Sequence, residues 1–112
     1  MFDIDVLFED LNYALLHDIE HGIHLTLLRM RSFVANNRMH ERLEMILELF
    51  ESGLHRRNPA RFKKLAVGFL IILTRAPNAF TPTSQVKLER ELNSILVEEL
   101  FELFIRKKQA EE

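Results

Sequence analysis

The sequence predicts an all-α fold, a compact bundle of four to five helices that forms one domain over residues 1–112. Two observations predict this class. Apolar residues recur at helical spacing along nearly the whole chain, from Ile4 to Ile105. Residues that interrupt helices are scarce, since the chain has three Gly and three Pro. A chain of this length buries about two-thirds of its unfolded surface, so one core can form without disulfide or metal staples.

The first helical block covers about residues 4 to 35 and contains a change of phase. Its opening stripe has members at i, i+4, i+7 and i+11, which are Ile4, Phe8, Leu11 and Leu15. A second stripe begins at Ile19 in a different phase, and Gly22 inside a helix costs about 1 kcal/mol relative to Ala. We therefore expect two helices here, or one strongly kinked helix, with Asp18 as a new N-cap.

The next predicted helix, about residues 38 to 52, has a buried face and an acidic face. The buried face is apolar and contains Leu43, Ile46, Leu47, Phe50 and Leu54. The opposite face carries four carboxylates, Glu41, Glu44, Glu48 and Glu51. We expect these four glutamates to stay solvated and to bias which partner docks. Gly53 suits a left-handed C-terminal cap.

The third predicted helix, about residues 59 to 75, is apolar nearly all round and should lie inside the bundle. Asn58 followed by Pro59 is typical of an N-cap and a first helical position. A buried strand over residues 68 to 74 is the alternative, although the helical neighbours favour a helix. The apolar run from Leu65 to Leu73 is under half of the about 20 residues that a membrane span needs, so we expect no membrane association.

The last predicted helix, about residues 83 to 108, carries two apolar faces. Thr81 and Pro82 repeat the cap-plus-proline start, after a loop whose Phe80 we expect to pack against the core. One face should join the core and contains Leu88, Leu92, Ile95, Leu96, Leu100 and Leu103. The second face lies more than about 100° away on a helical wheel and contains Val97, Phe101, Phe104 and Ile105. This second face predicts a subunit or partner interface. The alternative is that Phe101 and Ile105 close over the N-terminal helix of the same chain.

Three histidines form a weak candidate metal site. His17, His21 and His24 have the i, i+4, i+7 spacing that would place three imidazoles on one helical face. A break near Asp18 would move His17 out of that row, and the Glu-x-x-His motif of di-iron bundles is absent. The competing interpretation is an exposed polar face, and we expect no cofactor.

A basic segment follows Gly53 and could suggest a helix-turn-helix. Its cations include Arg56, Arg57, Arg61 and Lys64. The turn is long for that motif, the helix after Lys64 becomes wholly apolar, and the formal net charge is −2. We expect these side chains to steer a protein partner, and nucleic-acid binding is the less favoured alternative.

No pattern in the sequence indicates catalysis. The chain has no Cys, which excludes thiol chemistry, and it lacks a glycine-rich phosphate loop and a nucleophile elbow.

The acidic N-terminal segment does not resemble a signal peptide, so we expect a cytoplasmic protein, in the host cytosol if the source is a virus. The sequence thus predicts a non-enzymatic interaction module that acts by helix-to-helix contact as a homodimer. A regulator, adaptor, chaperone or phage- or virus-type accessory inhibitor would fit, and a metal- or ligand-responsive sensor built on the three histidines is the alternative.

Overall fold

The computed structural model describes residues 4–34, 37–75 and 81–111, and these residues form six α-helices and no strand. The helices are α1 (Ile4–Leu16), α2 (Glu20–Phe33), α3 (Asn37–Glu51), α4 (Leu54–Arg57), α5 (Pro59–Arg75) and α6 (Pro82–Glu111). The predicted all-α class is confirmed. The first block divides in two, as one of the two expectations had it, which gives five helices. The predicted count of four to five is too low because the single turn α4 between α3 and α5 adds a sixth. Within the described helices, none is both long and apolar enough to cross a membrane.

The break between α1 and α2 lies where the apolar stripe changes phase. Asp18 has a φ of 54°, in the left-handed region that Asp tolerates better than most residues. The amide of Ile19 then donates a 2.9 Å hydrogen bond to the carbonyl of Ala14, which closes the turn. The predicted N-cap role of Asp18 is wrong, because α2 begins at Glu20 after Ile19, whose side chain makes no capping hydrogen bond.

Local caps define three other helix boundaries as predicted. Gly53 has a φ of 91° between α3 and α4, a left-handed conformation in which glycine has no Cβ penalty. Asn58 Oδ1 accepts a 3.2 Å hydrogen bond from the backbone amide of Arg61. Thr81 Oγ1 accepts one of the same length from the amide of Ser84. Both bonds satisfy a first-turn donor that has no partner within its helix. The predicted packing of Phe80 lies outside the described residues.

Helix α5 occupies the centre of the bundle, as its sequence predicts. Its buried side chains are Phe62, Leu65, Ala66, Phe69, Leu70 and Ile72. It packs against α1, α3, α4 and α6, so apolar residues on several of its sides find a partner. A buried strand over this segment is thereby excluded.

Gly68 allows α5 and α6 to approach closely. A Cβ atom added at Gly68 would lie 2.7 Å and 2.8 Å from the two methyl carbons of Leu92 on α6. Leu92 is fully buried, so its side chain has little room to move away.

Gly68→Ala is expected to destabilise the fold by about 1–2 kcal/mol, because the clash with Leu92 outweighs the better helix propensity of alanine. Chemical denaturation of the single variants and of the pair with Leu92→Ala forms a double-mutant cycle. We expect Gly68→Ala to cost less once Leu92 is truncated. Strict additivity of the two changes would show that the close approach has no energetic consequence.

A buried ion pair joins α6 to α3. Arg42 is only 7% exposed, and its Nη1 lies 2.5 Å from Oε1 of Glu89. The same carboxylate oxygen lies 2.6 Å from Nη2 of Arg38. The Arg42 guanidinium also lies 5.1 Å from the centre of the Phe69 ring on α5, within the range of a cation–π contact. Arg42 therefore ties three helices together, and its position fixes the N-terminal half of α6 on the bundle.

Candidate interaction surfaces

The inner face of α6 belongs to the core. Leu92 and Leu96 are buried, and four further apolar residues are partly buried against the core: Leu88, Ile95, Leu100 and Leu103. Glu99 on this face is also buried and lies 3.0 Å from Nη1 of Arg61 on α5. This face holds α6 in place along most of its length.

The outer face of α6 presents a stripe of large apolar side chains to solvent. Val97, Phe101 and Phe104, hereafter the outer patch, are 65%, 61% and 56% exposed. Their spacing of i, i+4, i+7 places them on one side of the helix. Ile105, the fourth residue of the predicted interface, is half-buried at the edge of this stripe. Within the described helices the backbones of α1 and α6 do not approach each other, and Phe101 remains mostly exposed, so α1 does not cover Phe101.

Charged side chains lie on the same stripe beyond each end of the outer patch. Lys108 follows Phe104 by one turn, and its ammonium lies 5.4 Å from the centre of the Phe104 ring. Arg90 precedes Val97 by two turns and is exposed, as is Glu111 beyond Lys108. The outer patch is therefore an apolar segment with a cation at each end.

Helix α1 carries a second exposed apolar surface that the sequence reasoning missed. Val6, Tyr13 and Leu16 are more than half exposed. They lie off the buried stripe of α1, and a helical wheel of this segment could have found them. The exposed carboxylates of Glu9 and Asp10 interrupt this surface, so it is less continuous than the outer patch.

The acidic face of α3 is exposed at all four glutamates; two of them have cationic neighbours and a third lies beside a histidine. Glu44 lies 3.1 Å from Arg31, and Glu48 lies 3.0 Å from Lys107. Glu51 lies 3.8 Å from His24, whose charge depends on protonation. Glu41 forms no ion pair with a described residue. The face thus retains negative charge, most clearly at Glu41.

The basic segment after Gly53 is largely neutralised by carboxylates from other helices. Nη2 of Arg61 lies 2.7 Å from Glu98, and Lys64 pairs with Glu91. Arg56 is held by Glu20, whereas Arg57 pairs with no described residue. Because glutamates stand beside three of these four cations, the segment does not form the continuous basic surface that a phosphate backbone attracts.

Glu20 and Arg56 join α2 to α4 through a two-pronged contact. Arg56 donates hydrogen bonds from Nε and Nη2 to the two carboxylate oxygens of Glu20, at 2.7 and 2.6 Å. These bonds lower the pKa of Glu20 from 4.5 to about 2. The side chain of His55 is 10% exposed beside them, with Nε2 3.3 Å from Glu20 and its ring stacked on Phe50 at 4.1 Å. Sequence reasoning missed this cluster, because Glu20 and Arg56 are 36 residues apart.

The lowered pKa of Glu20 gives the fold a pH dependence. Because the folded pKa lies below the unfolded value, the contribution of Glu20 is complete above about pH 4.5 and is lost as the pH falls toward 2. Between pH 4.5 and pH 2 we expect the free energy of unfolding to fall less in the Glu20→Gln variant than in the wild type. Chemical denaturation at several pH values measures this difference. Glu41→Gln is the matched control, because Glu41 is exposed and forms no ion pair with a described residue. Equal acid sensitivity in the wild type and both variants would contradict a role for the Glu20–Arg56 contact.

The three histidines do not converge on one point. His17 lies in the turn after α1 and packs against the Tyr13 ring at 4.2 Å, whereas His21 and His24 lie on α2. The ring of His24 stacks on Phe50 at 5.7 Å. In the parts of the chain that the structure describes, no group of three or more His, Asp or Glu side chains is placed to hold a metal ion. The break between α1 and α2 separates His17 from His21 and His24, so the three histidines do not form the single row that their spacing suggested.

Comparisons of the chain with family models, with curated proteins and with solved structures give no match. The function is therefore inferred from the exposed surfaces of the molecule.

Proposed function

We propose that the protein is a non-enzymatic protein–protein interaction module that acts by helix-to-helix contact and associates as a homodimer. The observation that carries this proposal is the outer patch of Val97, Phe101 and Phe104. Its two phenylalanines and one valine are each more than half exposed on the longest helix of the fold.

The chemistry of the outer patch is that of an interface core. Contiguous apolar patches on soluble proteins commonly mark interaction sites, and Phe is enriched at the centre of interfaces. The three side chains expose roughly 300 Å² in all, if each leaves about 100 Å² uncovered. This is less than the about 800 Å² that each partner buries in an interface of standard size. We therefore expect a dimer that forms reversibly and dissociates on dilution.

A second copy is the first partner to consider, because two-fold dimers are the commonest homo-oligomers. In such a dimer the same patch contacts itself, so each chain supplies an equal apolar surface. The dimer would serve as a small regulator, adaptor, chaperone or phage- or virus-type accessory inhibitor, and we assign it to the cytoplasm.

Charges away from the outer patch would bias the choice of a further partner. Glu41 on α3 and Arg57 at the end of α4 are the two predicted steering residues that pair with no described residue. Such charges act on encounter rate and on rejection of wrong partners more than on affinity. The predicted steering residues that already form ion pairs would contribute less to this bias, because the opposite charge beside each of them partly cancels its field.

The proposal is tested by recording amide nitrogen–proton spectra over a dilution series. Dilution should shift the signals of α6 around residues 97 to 104, because these amides lose the partner helix. Shifts centred on Val6 and Tyr13 would assign the contact to α1 instead. Spectra that do not change, together with the tumbling rate of a 13.3 kDa particle, would contradict self-association.

A further inference from the structure

We infer that the two chains of the dimer pair through antiparallel α6 helices, with the two-fold axis beside Phe101. The inference rests on the proposed homodimer and adds the orientation of its chains. It follows from the order of side chains along the outer stripe of α6.

The outer stripe extends beyond the apolar patch and has a defined charge order. From Arg90 onward, its exposed members, in steps of three or four residues, are Arg90, Ser94, Val97, Phe101, Phe104, Lys108 and Glu111. This spacing keeps all of them on one side of α6. The stripe thus has a cation before the patch, and a cation followed by a carboxylate after it.

Reversing one helix about Phe101 makes this stripe complementary to itself. At 1.5 Å per residue, Val97 lies about 6 Å before Phe101 and Phe104 about 4.5 Å after it. In the antiparallel pair Val97 therefore faces Phe104 of the other chain, and the two copies of Phe101 meet at the axis. Arg90 reaches Glu111 of the other chain, which gives an attractive pair at each end.

A parallel arrangement of the same helices brings like charges together. Each Arg90 would face the other Arg90, and each Lys108 the other Lys108. Opposed cations at the edge of an interface reduce affinity and disfavour that orientation. The apolar residues of the outer patch match in either orientation, and the charges at the two ends of the stripe favour the antiparallel one.

The position of the core along α6 also suits the antiparallel pair. The apolar inner contacts of α6 run from Leu88 to Leu103, mostly on the N-terminal side of Phe101. Helix α6 has 30 residues and is about 45 Å long. An axis at Phe101 therefore places most of the apolar core contacts of the two chains on opposite sides of the axis.

The orientation is tested by disulfide trapping, for which a chain without Cys is well suited. Ser94 and Lys108 are exposed and lie on either side of the outer patch, so S94C and K108C leave the patch intact. In the antiparallel dimer position 94 faces position 108 of the other chain. The two copies of position 94 lie about 20 Å apart along the helices, too far for a disulfide.

We expect an oxidised mixture of S94C and K108C to form covalent dimer about tenfold or more faster than S32C, an exposed control on α2. S94C alone and K108C alone should crosslink at the rate of the S32C control. Rapid crosslinking of each single variant with itself would overturn the antiparallel orientation and support a parallel pair. A dimeric mass without crosslinking above the control would overturn pairing through α6, while the homodimer itself would stand. A monomeric mass at every concentration would overturn the proposed function as well.

Discussion

Phe101→Asp is expected to abolish dimerisation while the helical fold remains intact. Phe101 is 61% exposed, so the fold does not depend on its burial. In the dimer the introduced carboxylates would meet at the axis in an apolar contact, where an unpaired charge is costly. Truncation of a central interface residue costs about 2 kcal/mol or more, and both chains carry the change. Two such losses weaken association by about 1,000-fold, which light scattering detects as a monomeric mass.

Leu16→Asp is the matched control for this experiment. Leu16 is 68% exposed at the end of α1 and lies away from the outer patch, so the same change there should leave the dimer intact. Circular dichroism of both variants reports the helix content. A Phe101→Asp variant that remains dimeric would contradict the assigned interface, and one that unfolds would place Phe101 in the core.

Glu89→Ala is expected to destabilise the fold by about 3–5 kcal/mol, because it leaves the buried guanidinium of Arg42 without its carboxylate. The loss should appear as a lower midpoint of chemical denaturation. Since the same carboxylate also pairs with Arg38, the variant releases both arginine contacts between α3 and α6.

Glu91→Ala provides the comparison on the same helix. Glu91 pairs with Lys64, but both side chains are about half exposed, and pairs of this kind contribute about 0–1 kcal/mol. We expect this variant to unfold close to the wild-type midpoint. Equal effects of the two changes would contradict the view that burial sets the energetic importance of these ion pairs.

Local signals predicted most of the fold. Gly53, Asn58 and Thr81 end or begin helices through backbone conformations and caps that depend on near neighbours, so the sequence specifies them directly. Asp18 shows the limit of this reasoning. Aspartate is favoured both at an N-cap and in the left-handed conformation, and only the packing of α1 against α2 decides between them.

Side chains that meet across the fold could not be predicted in the same way. Arg42 belongs to a predicted helix whose buried face was expected to be apolar, yet its guanidinium lies buried between Glu89 and Phe69. Glu20 and Arg56 come together only because α2 and α4 pack side by side. The outer patch was visible in the sequence because a helical wheel requires no knowledge of distant residues.

The central claim is that the outer patch of α6 is an interface between copies of this chain. The most direct test is the mass of the wild-type protein by light scattering on a sizing column, at about 100 μM and again about 100-fold lower. An interface at the outer patch predicts a mass near twice the 13.3 kDa chain at the higher concentration, which falls toward 13.3 kDa on dilution. A mass of 13.3 kDa at both concentrations would contradict it.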